Sequence, residues 1–230
     1  MNKKEELLNK KYKKHIRFKR LIVFIIVFLI LSFFSYKILT KKIDYIQINK
    51  TKYFTEQEIL DILNIKDYNS FISINTFKLE KKLKNQSIIK DCKVTKDLFK
   101  LKIEIEEYKV LWYYIDKDMY MIETGDLIKS DRNIMVPSIK ECLEEKQQKK
   151  FIKAFNSYSD DIIEKISEIT YSPTNLDNKR YLFYMNDQNY VYINTSKLDT
   201  LNKYNDIVLE LEGHKGILYL DSGNHFEIKR

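Results

Sequence analysis

The sequence predicts an α+β chain in which a single N-terminal transmembrane helix precedes two folded units. The first observation is an uncharged apolar run at residues 21–36, LIVFIIVFLILSFFSY. The second is a series of short runs in which apolar and polar residues alternate, as in strands with one buried face. The third is composition, since 17 Tyr and 13 Phe beside 4 Gly and 2 Pro favour packed sheets over disordered, collagen-like or linker sequence.

The net charge of +8 is concentrated in a short N-terminal tail. Residues 1–20 contain nine Lys or Arg and two acidic residues, whereas the rest of the chain contains 32 basic and 31 acidic residues. A folded basic surface for nucleic acid is therefore not predicted. Residues 41–100 carry a net +5 and residues 101–230 a net −5, which indicates a boundary between two units near 108–111.

Residues 21–39 are predicted to form the transmembrane helix. At 1.5 Å per residue this segment spans ~28 Å of the ~30 Å hydrocarbon core, with the Lys37 ammonium reaching the headgroups. A buried soluble helix would show a polar stripe, and a cleaved signal peptide would end in small residues. Basic residues lie mainly before the helix, which predicts a single-pass type II topology with residues 1–20 in the cytoplasm and residues 41–230 outside.

The first folded unit, residues 41–109, is predicted to have the order β-α-α-β-β. Its elements are a strand at 43–48, a helix at 55–64, a loop at 69–75, a helix from about 76, and a hairpin of strands at 88–97 and 99–106. Thr55 and Glu58 form a capping box for the first helix, and Asn75 or Thr76 caps the second.

The second unit, residues 110–230, is predicted to be a mixed α/β domain built on a largely antiparallel sheet. Its strands are placed at 110–116, 118–123, 127–129, 166–172, 181–185, 190–194 and 216–223. Residues 140–158 have helical character, and Thr195 or Ser196 is predicted to cap a long helix that Gly213 ends. The aromatic runs are interpreted as core more readily than as interface.

No catalytic, metal or cofactor site is predicted, and the enzyme prediction is negative. His214 and His225 could be drawn as metal ligands with Asp221, but no HxH or HExxH spacing supports this. Asp116 and Asp118 are interpreted as solvated turn residues. The four glycines form no phosphate-binding motif.

The two cysteines, Cys92 and Cys142, lack a CxxC pattern and are interpreted as separate thiols. Cys142 also lacks a plausible His partner for nucleophilic catalysis.

The strand at 216–223 is the remaining candidate site. It has no successor in the predicted order, so it is expected at a sheet edge, where unpaired N–H and C=O groups either receive a partner strand or stay solvated.

The complete order resembles the FtsQ/DivIB family of bacterial cell-division proteins. Family members have a basic cytoplasmic tail, one transmembrane helix, a POTRA domain and a β domain, here residues 1–20, 21–39, 41–109 and 110–230. The runs that carry the resemblance include IDYIQINKTKYFTEQEIL, NSFISINTFKLEKKL, IIKDCKVTKDLFKLKIEIEEYKVLWYY, DMYMIETGDLI, VPSI, ISEITYS and GILYLDSGNHF.

The resemblance implies a non-enzymatic divisome scaffold in the cell membrane at the division septum. It would bind small bitopic proteins of the FtsB/DivIC and FtsL types outside the membrane and thereby influence the septal peptidoglycan synthase indirectly. In relatives the partner pairs with the last strand of the β domain. This implies a partner-binding segment comprising Leu218, Tyr219, Leu220, Asp221, Ser222, Gly223 and Phe226. The alternatives are a membrane-anchored assembly chaperone of the POTRA type and a membrane-anchored cell-wall enzyme.

Overall fold

The computed structural model describes residues 3–65, 73–97, 99–141 and 143–229. The chain divides into two compact units. The first comprises Met1–Lys50, Thr55–Leu83 and Lys93–Glu104, and the second comprises Thr51–Phe54, Lys84–Cys92 and Ile105–Arg230. The domain limits 41–109 and 110–230 stay a prediction.

Helix α1, Lys3–Leu39, contains the apolar run. Its segment Phe18–Ile38 is long and apolar enough to cross a membrane, and none of its most apolar part is buried against the protein. An exposed apolar surface of this size is costly in water and suits a lipid environment. The N-terminal helix of the predicted fold class is therefore confirmed.

The described residues that follow form a three-stranded sheet and two helices, in the predicted order β-α-α-β-β. They are β1 (Tyr45–Ile48), α2 (Glu56–Leu63), α3 (Thr76–Lys84), β2 (Ile89–Asp97) and β3 (Lys100–Glu107). Among the described residues β3 is the central strand, and β1 pairs with it in parallel. Residues 69–72 of the predicted loop lie outside the described residues.

The two helices begin where the capping signals predict. The Thr55 hydroxyl accepts from the backbone N–H of Glu58, and the Glu58 carboxylate accepts from the Thr55 N–H, so the capping box is confirmed. The Asn75 side chain accepts from the N–H of Lys78 at 3.1 Å and caps α3. These side chains satisfy N–H groups that the first helical turn leaves without a partner.

The second sheet has nine strands in the described part of the chain, in the order β12-β11-β10-β9-β8-β7-β4-β5-β6. The strands are β4 (Val110–Tyr114), β5 (Met119–Ile122), β6 (Leu127–Ile128), β7 (Ser138–Ile139), β8 (Ile166–Tyr171), β9 (Arg180–Met185), β10 (Tyr190–Asn194), β11 (Gly216–Tyr219) and β12 (His225–Ile228). Antiparallel pairs outnumber the parallel pairs β4–β7, β7–β8 and β10–β11, as the predicted fold class requires.

An aromatic core lies on one face of this sheet. Trp112 of β4 packs edge-to-face on Phe155 and Phe151, with ring centroids 5.4 and 6.2 Å apart, and Phe183 of β9 completes the cluster. All four side chains are fully buried. The helices of this unit are α4 (Glu145–Ser157), α5 (Asp160–Lys165), a 3-10 helix (Leu198–Lys203) and α6 (Tyr204–Glu210).

The predicted long helix after residue 195 is confirmed as a helical segment from Leu198 to Glu210, but its predicted cap and its α-helical character over the first six residues are wrong. The segment starts with the 3-10 helix, whose N-cap is Lys197 and not Thr195 or Ser196. Thr200 donates its hydroxyl to the Lys197 carbonyl at 2.7 Å, which competes with the helical bonding of that carbonyl. Asp, Thr and Asn residues in this stretch are also weak helix formers, so α-helix begins only at Tyr204.

Candidate functional site

The structure corrects the prediction that residues 216–223 form the terminal edge strand. Strand β11 ends at Tyr219, and the chain reverses to form β12, which pairs antiparallel with it. Gly223 and Asn224 make the reversal possible, because both adopt positive φ angles of 82° and 51°. Strand β11 therefore lies between β10 and β12, and the edge of the sheet belongs to β12.

The seven predicted partner-binding residues occupy different environments. Leu218 and Leu220 are buried in the core, Tyr219 projects from the opposite face, Asp221 forms an ion pair, Ser222 and Gly223 are exposed in the turn, and Phe226 is half-buried in β12. Only Phe226 of the seven lies on the edge strand.

The outer edge of β12 presents backbone groups that no strand in the described part of the chain pairs with. The N–H of Lys229 donates to the carbonyl of Lys215 at 2.9 Å, which makes this a hydrogen-bonded pair of the antiparallel ladder. Because such pairs alternate, Glu227 and His225 also face β11, whereas the backbone groups of Phe226 and Ile228 point outward. Two residues thus offer N–H and C=O groups to an incoming strand.

Gly216 lets β12 lie unusually close to β11. A Cβ at this position would lie 1.9 Å from the carbonyl oxygen of Glu227 and 2.9 Å from the ring of Phe226. No side chain larger than hydrogen fits without displacing β12, so the position of the edge strand depends on this glycine.

A buried ion pair holds the turn that precedes β12. Nε of Arg180 lies 2.7 Å from a carboxylate oxygen of Asp221, and the side chains are only 14% and 9% exposed. The Arg180 guanidinium also lies 3.5 Å from the ring centroid of Tyr192, and Lys197 donates to the Asp221 carbonyl at 3.2 Å. The position of Asp221 makes it a residue that supports the turn.

Aromatic rings continue from this ion pair across the outer face of the sheet to its edge. The ring of Tyr192 stacks on Tyr219 at 5.4 Å, and Tyr219 stacks on His225 at 4.5 Å. The Tyr219 hydroxyl donates to the Glu227 carboxylate at 3.1 Å. Desolvation and this hydrogen bond both raise the pKa of Tyr219, so the phenol stays neutral and keeps donating.

An open groove of about 1010 Å³ lies beside the edge strand. Its apolar and aromatic lining includes Leu182, Tyr184, Tyr190, Tyr192, Ile217 and Phe226. These side chains give the edge an adjacent surface that apolar groups of a bound segment could cover.

The other candidates from the sequence do not assemble into a reactive site. Asp118 accepts from the hydroxyl of Tyr113 at 2.9 Å and pairs with Lys129, and these contacts hold the pKa of its exposed carboxyl below the usual range. Among the described residues no group of three or more His, Cys, Asp or Glu side chains could hold a metal ion. Cys92 is buried, and Cys142 lies outside the described residues.

Sequence reasoning missed three residues of the edge strand, namely His225, Glu227 and Ile228. A signal for them was present, because Gly223-Asn224 is a turn pair followed by four residues of alternating character. A four-residue strand at a chain end is a weak pattern, and its pairing depends on the close approach that Gly216 permits.

Comparison with known proteins gives the family. Residues 41–108 match the model of the POTRA domain, FtsQ-type. The chain is 30% identical to the cell division protein DivIB of Listeria monocytogenes over 95% of its own length and 85% of that protein. The chain belongs to the FtsQ/DivIB family of cell-division proteins. DivIB of Bacillus subtilis is 29% identical over 91% of this chain and 83% of its own length.

A solved structure is also similar, that of the major extracytoplasmic domain of DivIB from Geobacillus stearothermophilus in its trans isomer. It is 22% identical, covers 46% of this chain and 96% of that domain, and superposes with a TM-score of 0.38. Family membership implies a role in the divisome, and the apolar helix α1 fits a membrane-anchored divisome protein.

Proposed function

We propose that this chain is a non-enzymatic divisome scaffold that captures a small bitopic partner by strand addition at β12. The expected partners are of the FtsB/DivIC and FtsL types. Through them the chain would help to control septal peptidoglycan synthesis. Residues 1–20 would lie in the cytoplasm and residues 41–230 outside, at the division septum.

The free edge of β12 carries this proposal. An extended segment that pairs there gains hydrogen bonds to Phe226 and Ile228 and extends the sheet by one strand. The side chains of Phe226 and Ile228 lie on the same face of β12, and Ile228 is 53% exposed. Apolar side chains of the partner would pack on this face. The apolar surface buried there would stabilise the complex in addition to the backbone hydrogen bonds.

The seven partner-binding residues predicted from the sequence each have a role in this proposal. Phe226 would contact the partner directly, with Ser222 and Gly223 at the end of the bound strand. Leu218 and Leu220 would anchor β11 in the core, while Tyr219 and Asp221 hold the turn and β12 in position.

Proline at position 228 tests the edge directly. Ile228→Pro removes an outward-pointing N–H that has no ladder bond, and proline is tolerated at such positions. Ile228→Ala is the matched control, because it shortens the side chain and keeps the N–H. The full-length chain would be co-reconstituted in vesicles with a fluorescently labelled DivIC-type protein, and binding followed by energy transfer.

Strand addition predicts that Ile228→Pro weakens binding at least ~10-fold beyond Ile228→Ala, since edge pairing and strand register are both lost. Equal binding by the two variants would contradict strand addition at this edge. Release of soluble fragments from purified peptidoglycan by the full-length chain would contradict the non-enzymatic role.

A further inference from the structure

One end of the first unit combines two phenylalanines, Phe77 exposed and Phe99 half-buried, with lysines, and it lies next to the membrane anchor. Lys41 follows the apolar segment by three residues, and its N–H donates to the carbonyl of Ile38 at 3.3 Å. The chain is thus still compact at Lys41, which places this residue within the ~5–8 Å depth of a headgroup layer.

Phe99, which directly precedes β3, is fixed to this part of the chain. The N–H of Asp44 donates to the carbonyl of Phe99 at 2.9 Å, and Nζ of Lys41 lies 4.6 Å from the Phe99 ring centroid. Phe99 has a φ of 68°, so its backbone is held in a strained conformation by these surroundings. Phe99 and the neighbouring Lys100 therefore share the level of Lys41.

Helix α3 brings a second aromatic residue to the same end. Lys84 pairs with Asp91 at 2.6 Å, and the N–H of Val94 donates to Glu80 at 2.8 Å, so α3 and β2 run antiparallel. One further helical turn places Phe77 beside the end of β2. The Phe77 side chain is 73% exposed. Contact between an apolar ring and water is unfavourable, so this ring would be more stable against an apolar surface.

The charge at this end is positive. Its ionisable residues are Lys41, Lys42, Lys78, Lys96, Lys100, Asp44 and Asp97, a net of +3. Lys41 pairs with Asp44 at 2.7 Å. The side chains of Lys42, Lys78 and Lys100 are exposed, and within the described residues none of the three forms an ion pair.

We propose that this end of the first unit rests on the membrane surface, with Phe77 and Phe99 at the acyl boundary and the lysines on anionic headgroups. Lipid is the occupant that the chain connectivity favours, because Lys41 cannot leave the headgroup layer while α1 spans the bilayer. Aromatic rings flanked by lysines are the side chains that bind such a surface. The inference rests on the membrane anchoring proposed above.

A tryptophan reporter tests the proposal in the full-length chain. Phe77→Trp places the indole at the proposed contact, and Lys84→Trp places it on the same helix ~10 Å away. The native Trp112 is fully buried and gives both variants the same background. Each protein would be reconstituted into vesicles that contain lipids brominated near the headgroup, with either zwitterionic lipids alone or added anionic lipid.

We expect quenching of the reporter at 77 to be at least ~2-fold greater in anionic than in zwitterionic vesicles, and to fall at high salt. Lys78→Glu with Lys100→Glu should abolish this difference, whereas Lys50→Glu with Lys93→Glu, equal in charge, should preserve it. Equal quenching at positions 77 and 84, or quenching that does not depend on anionic lipid, would contradict the docking of this end on the membrane surface and leave the membrane anchoring by α1 unaffected. Release of the chain by an alkaline wash would overturn the anchoring and the docking with it.

Discussion

Replacing Asp221 by alanine tests whether a buried ion pair holds the turn before β12. The substitution leaves the Arg180 guanidinium on the ring of Tyr192 with its anionic partner gone, in a site where it is only 14% exposed. The residual charge would be poorly solvated, because neighbouring strands limit access by water.

The expected loss follows from the burial of both partners. Removing one member of a buried pair costs ~3–5 kcal/mol, and the remaining exposure of these side chains favours the lower end, ~3 kcal/mol. With a urea dependence of ~1–3 kcal/mol per molar, the unfolding midpoint should fall by ~1–3 M. Asp221→Asn should lose less, ~1–2 kcal/mol, because its amide oxygen can still accept from Nε.

Trp112 is the only tryptophan of the chain and lies in the core of the same unit, so its fluorescence reports unfolding of the full-length protein in detergent. Lys129→Ala is the matched control. The Asp118–Lys129 pair is 3.4 Å apart with both side chains 68% exposed, so water screens it and its loss should lower the midpoint much less. Equal shifts of the midpoint for the two alanine variants would refute the proposed role of the Arg180–Asp221 pair.

Two further predictions concern the position of β12 and the acid stability of the second unit. Gly216→Ala should displace β12, since the added Cβ would lie 1.9 Å from the Glu227 carbonyl oxygen. Amide exchange at Lys229 should then accelerate while exchange in β9 does not, and unchanged exchange at Lys229 would count against the close-approach argument. Hydrogen bonds from Ser159 and Asn205 lower the pKa of Asp161 in the folded state. The ionised carboxylate therefore stabilises the fold fully at pH values above the unfolded pKa of ~3.9. This stabilisation is lost as the pH falls through the lower pKa of the folded state. The difference in unfolding free energy between the natural chain and Asp161→Asn should therefore shrink as the pH falls from about 5 to 2. A difference that stays constant with pH in urea titrations would contradict this linkage.

The sequence predicts the elements whose determinants are local. The capping box of Thr55 and Glu58 sets the start of α2, and alternating Leu101, Ile103 and Ile105 identify the buried face of β3. Both patterns depend on residues a few positions apart and need no knowledge of the tertiary structure.

The candidate site is predictable only in part, because its edge is a property of the tertiary fold. The apolar run of β11 points to the correct region, and Phe226 does lie on the edge strand. The burial of Asp221 depends on Arg180, which is 41 residues away, and cannot be deduced from neighbouring residues. Phe226 and Ile228 favour strand, but two such residues in a four-residue segment are a weak pattern, and β12 is held in place by its pairing with β11.

Amide exchange on the edge strand is the most direct test of partner capture by β12. The full-length chain would be compared with and without a DivIC-type partner, resolving the amides of Phe226, Glu227 and Ile228 individually. Strand addition predicts new protection at Phe226 and Ile228, whose N–H groups point outward, and little change at Glu227, which already bonds to β11. Partner binding that leaves Phe226 and Ile228 exchanging at their free rates would contradict the account.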